Sequence, residues 1–268
     1  MLTIEAGKTE GQYFRDLWRY RELFIFLAWR DILVRYKQTV FGVLWAVLRP
    51  FLTMVVFTIV FGKIAKLPSG GVPYPILVYA AMLPWQFFSS AFSEASNSLI
   101  GNSNLLTKIY FPRIIMPTST VIVALVDFFI ALGILAVLMV FYRYAPSWNI
   151  LTLPVFILLA FLTAMGAGLY ITALNVKYRD FRYVVPFIVQ FGLYISPVGF
   201  SSDVVSEKWR LLYALNPMVG VIDGFRWAIL GQPLHILSFV ISVGVSIGFF
   251  ILGLWYFRKT EKTFADVI

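Results

Sequence analysis

The sequence predicts an all-α integral membrane protein, one domain over residues 1–268 with six transmembrane helices. Three observations carry this. Hydrophobic residues make up 60% of the chain and charged ones only 13%, with a mean hydropathy of +0.83, whereas a soluble domain has about a quarter of its residues charged. Apolar stretches of the roughly 20 residues that cross a hydrocarbon layer recur along the chain. Cations gather in alternate connections between them, as the positive-inside rule requires.

Taken in order, residues 12–37, "QYFRDLWRYRELFIFLAWRDILVRYK", are too charged to cross. Phe14, Leu17, Trp18, Leu23, Phe26, Leu27, Trp29 and Leu33 nevertheless give them apolar surface, which predicts amphipathic helices on the cytoplasmic leaflet. Spans are expected at 40–61, 74–93, 114–141, 151–175, 182–200 and 236–257. The third is long enough to tilt or to extend past the bilayer. Between the second and third lies a basic, proline-punctuated connection, 94–113, which ends in "NLLTKIYFPRIIMP" with the first residues of the next span. A mixed segment, 203–235, separates the fifth span from the sixth and carries Asp203, Glu207, Lys208, Arg210, Asp223 and Arg226. Ser238, Ser242 and Ser246, with Gly244 and Gly248 as G-x-x-x-G, predict close helix packing within the chain at the last span.

Fifteen cations lie before residue 40, in the second-to-third and fourth-to-fifth connections and in the tail, against six on the opposite side. Both termini are therefore expected in the cytoplasm. The opening "MLTIEAGKTEGQ" has no apolar core and predicts no cleavable secretion signal.

Two ionisable residues, Arg49 and Asp127, fall near the middle of the first and third spans. A charge at membrane depth costs several kcal/mol unless it is paired or faces water. Since both spans run in the same direction, the two are expected at similar depth, as a pair or facing a polar cavity. A structural role in helix packing and a role in transport fit equally.

Catalytic signatures are missing. "GKT" at Gly7, Lys8 and Thr9 has leucine at position 2, where a phosphate loop needs glycine, and no strand precedes it. One histidine, His235, cannot build a multi-histidine metal site, and no cysteine is present. The thirteen acids are scattered among connections. The chain is expected to be no enzyme and to bind no cofactor or metal. The formal charge of +9 tracks membrane sidedness rather than nucleic acid.

Four stretches carry a resemblance: "RDILVRYKQTVFGVLWAVLRPFLTMVVFTIVFGKIA" (30–65), "PWQFFSSAFSEASNSLIGNSNLLTKIYFPRIIMP" (84–117), "NVKYRDFRYVVPFIVQFGLYISPVGFSS" (175–202) and "LNPMVGVIDGFRWAILG" (215–231). In order and over essentially the whole chain, they resemble the ABC type 2 exporter permeases for O-antigen, capsule and teichoic acid, the O-antigen subgroup above all. The resemblance implies a homodimer joined to two copies of an ABC ATPase that binds ATP and Mg, in a bacterial cytoplasmic membrane, exporting an undecaprenyl-linked polysaccharide. It implies an N-terminal interface helix over 12–37 and a cytoplasmic coupling helix over 94–113. ATPase docking would then fall to Arg30, Asp31, Arg35, Leu105, Lys108, Tyr110, Phe111 and Arg113. It also implies re-entrant outer gate helices over 203–235, marked by Pro197, Pro217 and Pro233.

Pore walls are implied in the first and fifth spans, which makes Tyr36, Phe41, Trp45, Phe57, Phe61, Phe191 and Tyr194 candidates for the substrate path. Phe41 with Trp45, and Phe57 with Phe61, are i, i+4 pairs on one helical face, a pattern that packed aromatics share. A type 2 exporter of small hydrophobic drugs or lipids, and an integral-membrane glycan or lipid transferase, are the alternatives.

Overall fold

The computed structural model describes residues 10–37, 42–178 and 180–264, with the side chains of 10–12, 14, 42–47, 49 and 107 left outside it. Two short leading helices, α1 (Glu10–Arg19) and α2 (Arg21–Lys37), precede α3 (Gly42–Phe57), which continues into a π-helical stretch, Thr58–Ile64. Then follow α4 (Tyr74–Gly101), α5 (Ser103–Lys108), α6 (Ile115–Phe141), α7 (Leu153–Lys177) and α8 (Phe181–Ile195). The chain closes with α9 (Glu207–Tyr213), α10 (Pro217–Leu230) and α11 (Ile236–Thr260). Among the described residues there is no strand.

Four helical segments are long and apolar enough to cross a membrane: Tyr74–Gly101, Ile115–Phe141, Trp148–Lys177 and Ile236–Thr263. Pro50–Ile64 and Phe181–Ile195 are shorter apolar helices where the first and fifth spans were expected. At about 1.5 Å per residue, α8 is roughly 22 Å long, less than the hydrocarbon thickness of about 30 Å.

α4 is the central helix, buried along most of its length against α6, α7 and α10. It runs eight residues past the expected end of the second span. The reason is local: the polar residues there satisfy themselves on the helix. Ser96 donates to the Phe92 carbonyl at 2.5 Å, Ser98 to Ala95 at 2.7 Å and the exposed Asn97 to Ser93 at 2.9 Å, so the two buried hydroxyls ride an apolar interface without an open donor. α7 adds two further bonds, from Thr172 to the Ala95 carbonyl and from Asn175 to that of Ser96, each 2.8 Å. The first eight residues of the expected coupling segment, 94–101, are thus the end of α4, and a separate helix covers only Ser103–Lys108.

α7 and α11 meet backbone to backbone. A Cβ added at Gly253 would stand 2.0 Å from the Gly166 carbonyl oxygen, and one at Gly166 would stand 2.5 Å from the backbone of Phe250. Ser238, Ser242 and Ser246 are buried on the inner face of α11, where Thr163 donates to Ser246 at 2.9 Å and Ser242 donates to the Ala214 carbonyl at 2.9 Å. Gly244 and Gly248 face open space. Of the two repeats on α11, the serines rather than the G-x-x-x-G pair face neighbouring segments, Ser246 towards α7 and Ser242 towards the start of α10.

α10 begins at an Asn216 cap that accepts from Met218 N at 3.0 Å, with Pro217 next, and ends at Gly231 in the left-handed region, φ 67°. Its Arg226 is buried and donates to the carbonyls of Phe200 (2.7 Å) and Val198 (3.1 Å), pinning the turn after α8. Nearby, burial pushes the Asp203 carboxyl up, but hydrogen bonds from His235, at 2.8 Å, and from Ser201 outweigh it and hold the group below its ordinary value.

Candidate substrate cavity and docking face

A cavity of about 750 Å³ opens between α2, α3, α4, α6 and α8. Its charged end is built by three helices. Arg35 of α2 bonds Glu94 of α4 at 2.5 Å through Nη2 and Asp127 of α6 at 2.8 Å through Nη1, and the Tyr36 hydroxyl donates to the other Asp127 oxygen. Asp127 lies twelve residues into α6, about 18 Å along its axis. The end of α2 therefore reaches about that far along α6 and packs against it.

The long wall of the cavity is one face of α4, with Gln86, Ser89, Ser90, Ser93 and Glu94. Pro186, Val189, Gln190 and Leu193 of α8 stand opposite. The width between these walls has a specific stop. Trp85 of α4 abuts Gly192 of α8 so closely that a Cβ there would meet the indole at 2.5 Å. Prolines sit inside α3, α4 and α8, at Pro50, Pro84 and Pro186, and each removes a donor from the helical ladder around the cavity.

Only some of the residues singled out in the sequence meet here. Arg35, Tyr36 and Asp127 do. Asp127 has Arg35 and Tyr36 as its partners, while Arg49 has its side chain outside the described residues, and so does the expected pair with Asp127. Phe41 and the Trp45 side chain also fall outside them. Phe57 is buried and stacks edge-on with Phe61 at 5.4 Å; Phe61 in turn covers Gly199. Phe57 is thus part of the packed interior, and Phe61 is half-buried beside it. Phe191 and Tyr194 are exposed on α8. The α4 stripe and Glu94 were missed. Their signal was present in "PWQFFSSAFSEASNS", where polar residues recur at helical spacing within an apolar span.

The second candidate surface lies where the chain enters α6. Lys108, Ile109 and Tyr110 are exposed, whereas Phe111 is buried in the core, so it offers no surface to a partner. Leu105 is partly buried against the core as well. Arg30 is bonded to Asp31 at 2.7 Å and reaches Asn102, and Arg35 is taken up in the cavity.

Arg113 is held from within the chain. Its backbone N–H donates to Glu261 Oε1 at 2.7 Å and its guanidinium to the Glu261 carbonyl. The Tyr13 hydroxyl donates to Glu261 Oε2 at 3.1 Å, and the Arg258 guanidinium sits 4.5 Å from the centre of the Tyr13 ring. Burial first, then the adjacent Glu261 carboxylate, keep the Tyr13 hydroxyl protonated well above the ordinary tyrosine range. One carboxylate thus joins the first helix, the loop entering α6 and the end of α11. Nothing in the local sequence around Glu261 pointed to it, because its partners are 148 and 248 residues away.

Apolar helices thus enclose a polar cavity beside the central helix, with a basic connection between α4 and α6. Residues 22–230, from α2 through α10, match the family described as ABC-2 type transporter. The chain belongs to that family. Among its relatives, the O-antigen export system permease protein RfbA of Myxococcus xanthus is 30% identical over 216 residues, 79% of this chain and 82% of that one. The protein of the same name from Klebsiella pneumoniae is 25% identical over 251 residues, 92% and 95% of the two chains. The polysialic acid transport protein KpsM of Escherichia coli is 24% identical over 246 residues, 87% and 91%. The ABC-2 region thus includes both the cavity and the loop around Lys108, and stops before Glu261.

Proposed function

We propose that two copies of this chain form the membrane passage of an exporter for a lipid-linked polysaccharide of the O-antigen class. The observation that carries the reading is the likeness, over most of its length, to permeases named for O-antigen and polysialic acid. The substrate is carried on undecaprenyl, and the passage lies in a bacterial cytoplasmic membrane. Energy comes from ATP and Mg on two copies of a separate ATPase subunit, since this chain has no phosphate loop of its own.

In this reading α3 with its π-helical extension, and α8 with the turn after it, complete six crossings with both termini in the cytoplasm. α9 and α10 form the outer gate. The exposed residues Lys108, Ile109 and Tyr110 meet the ATPase, and the cavity beside α4 forms part of the route. Ion-paired charges and neutral hydrogen-bonding groups along a half-open space support it, because polar side chains at such depth need water or a polar ligand.

The test is deletion of the gene in its own host, followed by extraction of polymer from inside and outside the cell. Undecaprenyl-linked polymer should accumulate inside, and a hydrolysis-dead ATPase should produce the same phenotype. Undiminished surface polymer after the deletion would overturn the assignment.

A further inference from the structure

Gln86, Ser90 and Ser93 are separated by four and three residues, so they share one face of α4, and all three line the cavity; Gln190 of α8 lines the wall opposite. None of these four side chains bonds another group among the described residues. Open amides and hydroxyls are strongly disfavoured in dry hydrocarbon. They require water or a ligand that offers hydrogen bonds.

The charge at the cavity's end narrows the ligand further. Among the described side chains one guanidinium faces two carboxylates, Arg35 against Glu94 and Asp127, so this group of three carries no spare positive charge to attract a phosphate. Met82, Leu83 and Phe128 add apolar surface, and Thr53 and Ser89 two further hydroxyls. Neutral donors and acceptors in a row, set among apolar surface, complement a sugar chain, whose hydroxyl edges alternate with C–H faces.

From this juxtaposition we infer that the Gln86–Ser90–Ser93 face of α4, with Gln190 across from it, is a carbohydrate-contacting stripe that holds uncharged sugar units of the translocating chain. The inference rests on the export reading above and assigns the contact to α4, a helix other than the aromatic-bearing first and fifth spans. Contacts are exchangeable from one sugar to the next, as conduction requires weak, repeated sites.

The absence of cysteine from the chain makes a direct test available. Ser90→Cys introduces a single thiol, probed in whole export complexes with a small water-soluble methanethiosulfonate, in cells with polymer synthesis switched on or off. Continued export by the variant certifies its fold; should export fail, Ser93→Cys serves in its place. The thiol should react readily without polymer and at least several-fold more slowly while polymer is crossing. Gly244→Cys, on the open face of α11, should show no such difference. Gln86→Ala with Gln190→Ala should cut export several-fold, and asparagine at both positions should restore part of it. An unreactive thiol in both conditions, or equal reactivity while export proceeds, would overturn the stripe and leave the export function standing. Equal protection at Gly244→Cys would also overturn it. Loss of the export reading itself would be seen separately, as surface polymer that does not depend on this chain.

Discussion

Arg35 holds two carboxylates that belong to different helices, and its removal leaves Glu94 and Asp127 facing one another. The three side chains are between 25% and 34% exposed, so solvent screens part of the cost. Arg35→Ala should therefore destabilise the chain by about 1–3 kcal/mol, between the ~0–1 of an exposed pair and the ~3–5 of a fully buried one. Arg35→Lys keeps the charge but cannot span both acids with a planar fork, and should fall between. Thermal unfolding of the purified protein in detergent reads both, and an alanine variant as stable as the parent would contradict the triad. At this scale the sequence was half legible. Asp127 stood out because a charge interrupts an apolar run. Its partner did not, because Arg35 lies in a segment whose cations read as surface charge, and no local pattern says that the end of α2 packs against α6.

At the scale of the element, small residues decide which helices touch. The α7–α11 approach is set by backbone meeting backbone at Gly166 and Gly253, where neither side can move aside as a side chain would. Gly253→Ala should overpack the crossing and cost about 1–3 kcal/mol. Gly244→Ala, pointing into open space, should change stability by no more than about 0.5 kcal/mol. Comparing the unfolding midpoints of the two variants checks this, and equal effects would disprove the assignment. The serine repeat and the glycine repeat of α11 were both visible in the sequence. Periodicity alone does not say which of two neighbouring faces is turned inward; the serine face is the buried one, where Ser242 and Ser246 find carbonyl and hydroxyl partners on neighbouring segments. The length of α4 was misjudged for a related reason. Polar residues near a span's end read as a loop, yet serine and asparagine that bond back to the helix lengthen it.

Across the whole molecule, the cations between α4 and α6 split into groups that are open and groups already engaged. Lys108 is exposed on a short helix, while Arg113 is anchored to Glu261 and, through it, to Tyr13. The charge reversals Lys108→Glu and Arg113→Glu should then behave differently. The first should weaken ATPase co-purification while shifting the stability of the isolated chain by no more than about 0.5 kcal/mol. The second should lower the unfolding temperature of the isolated chain, because a new carboxylate would stand beside Glu261. If the two variants lost ATPase binding equally with unchanged stability, the division would be wrong. The order of helices and the basic connection were legible in the sequence, since they rest on composition and local punctuation. The Glu261 junction was not, since it joins the two ends of the chain to its middle.

α8 has one buried residue, Val185, among its fifteen, and Phe187, Phe191, Tyr194 and Ile195 stand open. It leans on the rest of the subunit along a single edge, with the Trp85–Gly192 abutment as its closest stop. One side of the cavity is thus a leaf whose resting angle is set by its surroundings as much as by the fold. Whatever covers that outer surface, lipid or a neighbouring copy, should therefore bear on the calibre of the cavity more than on the packed contact of α4 with α7.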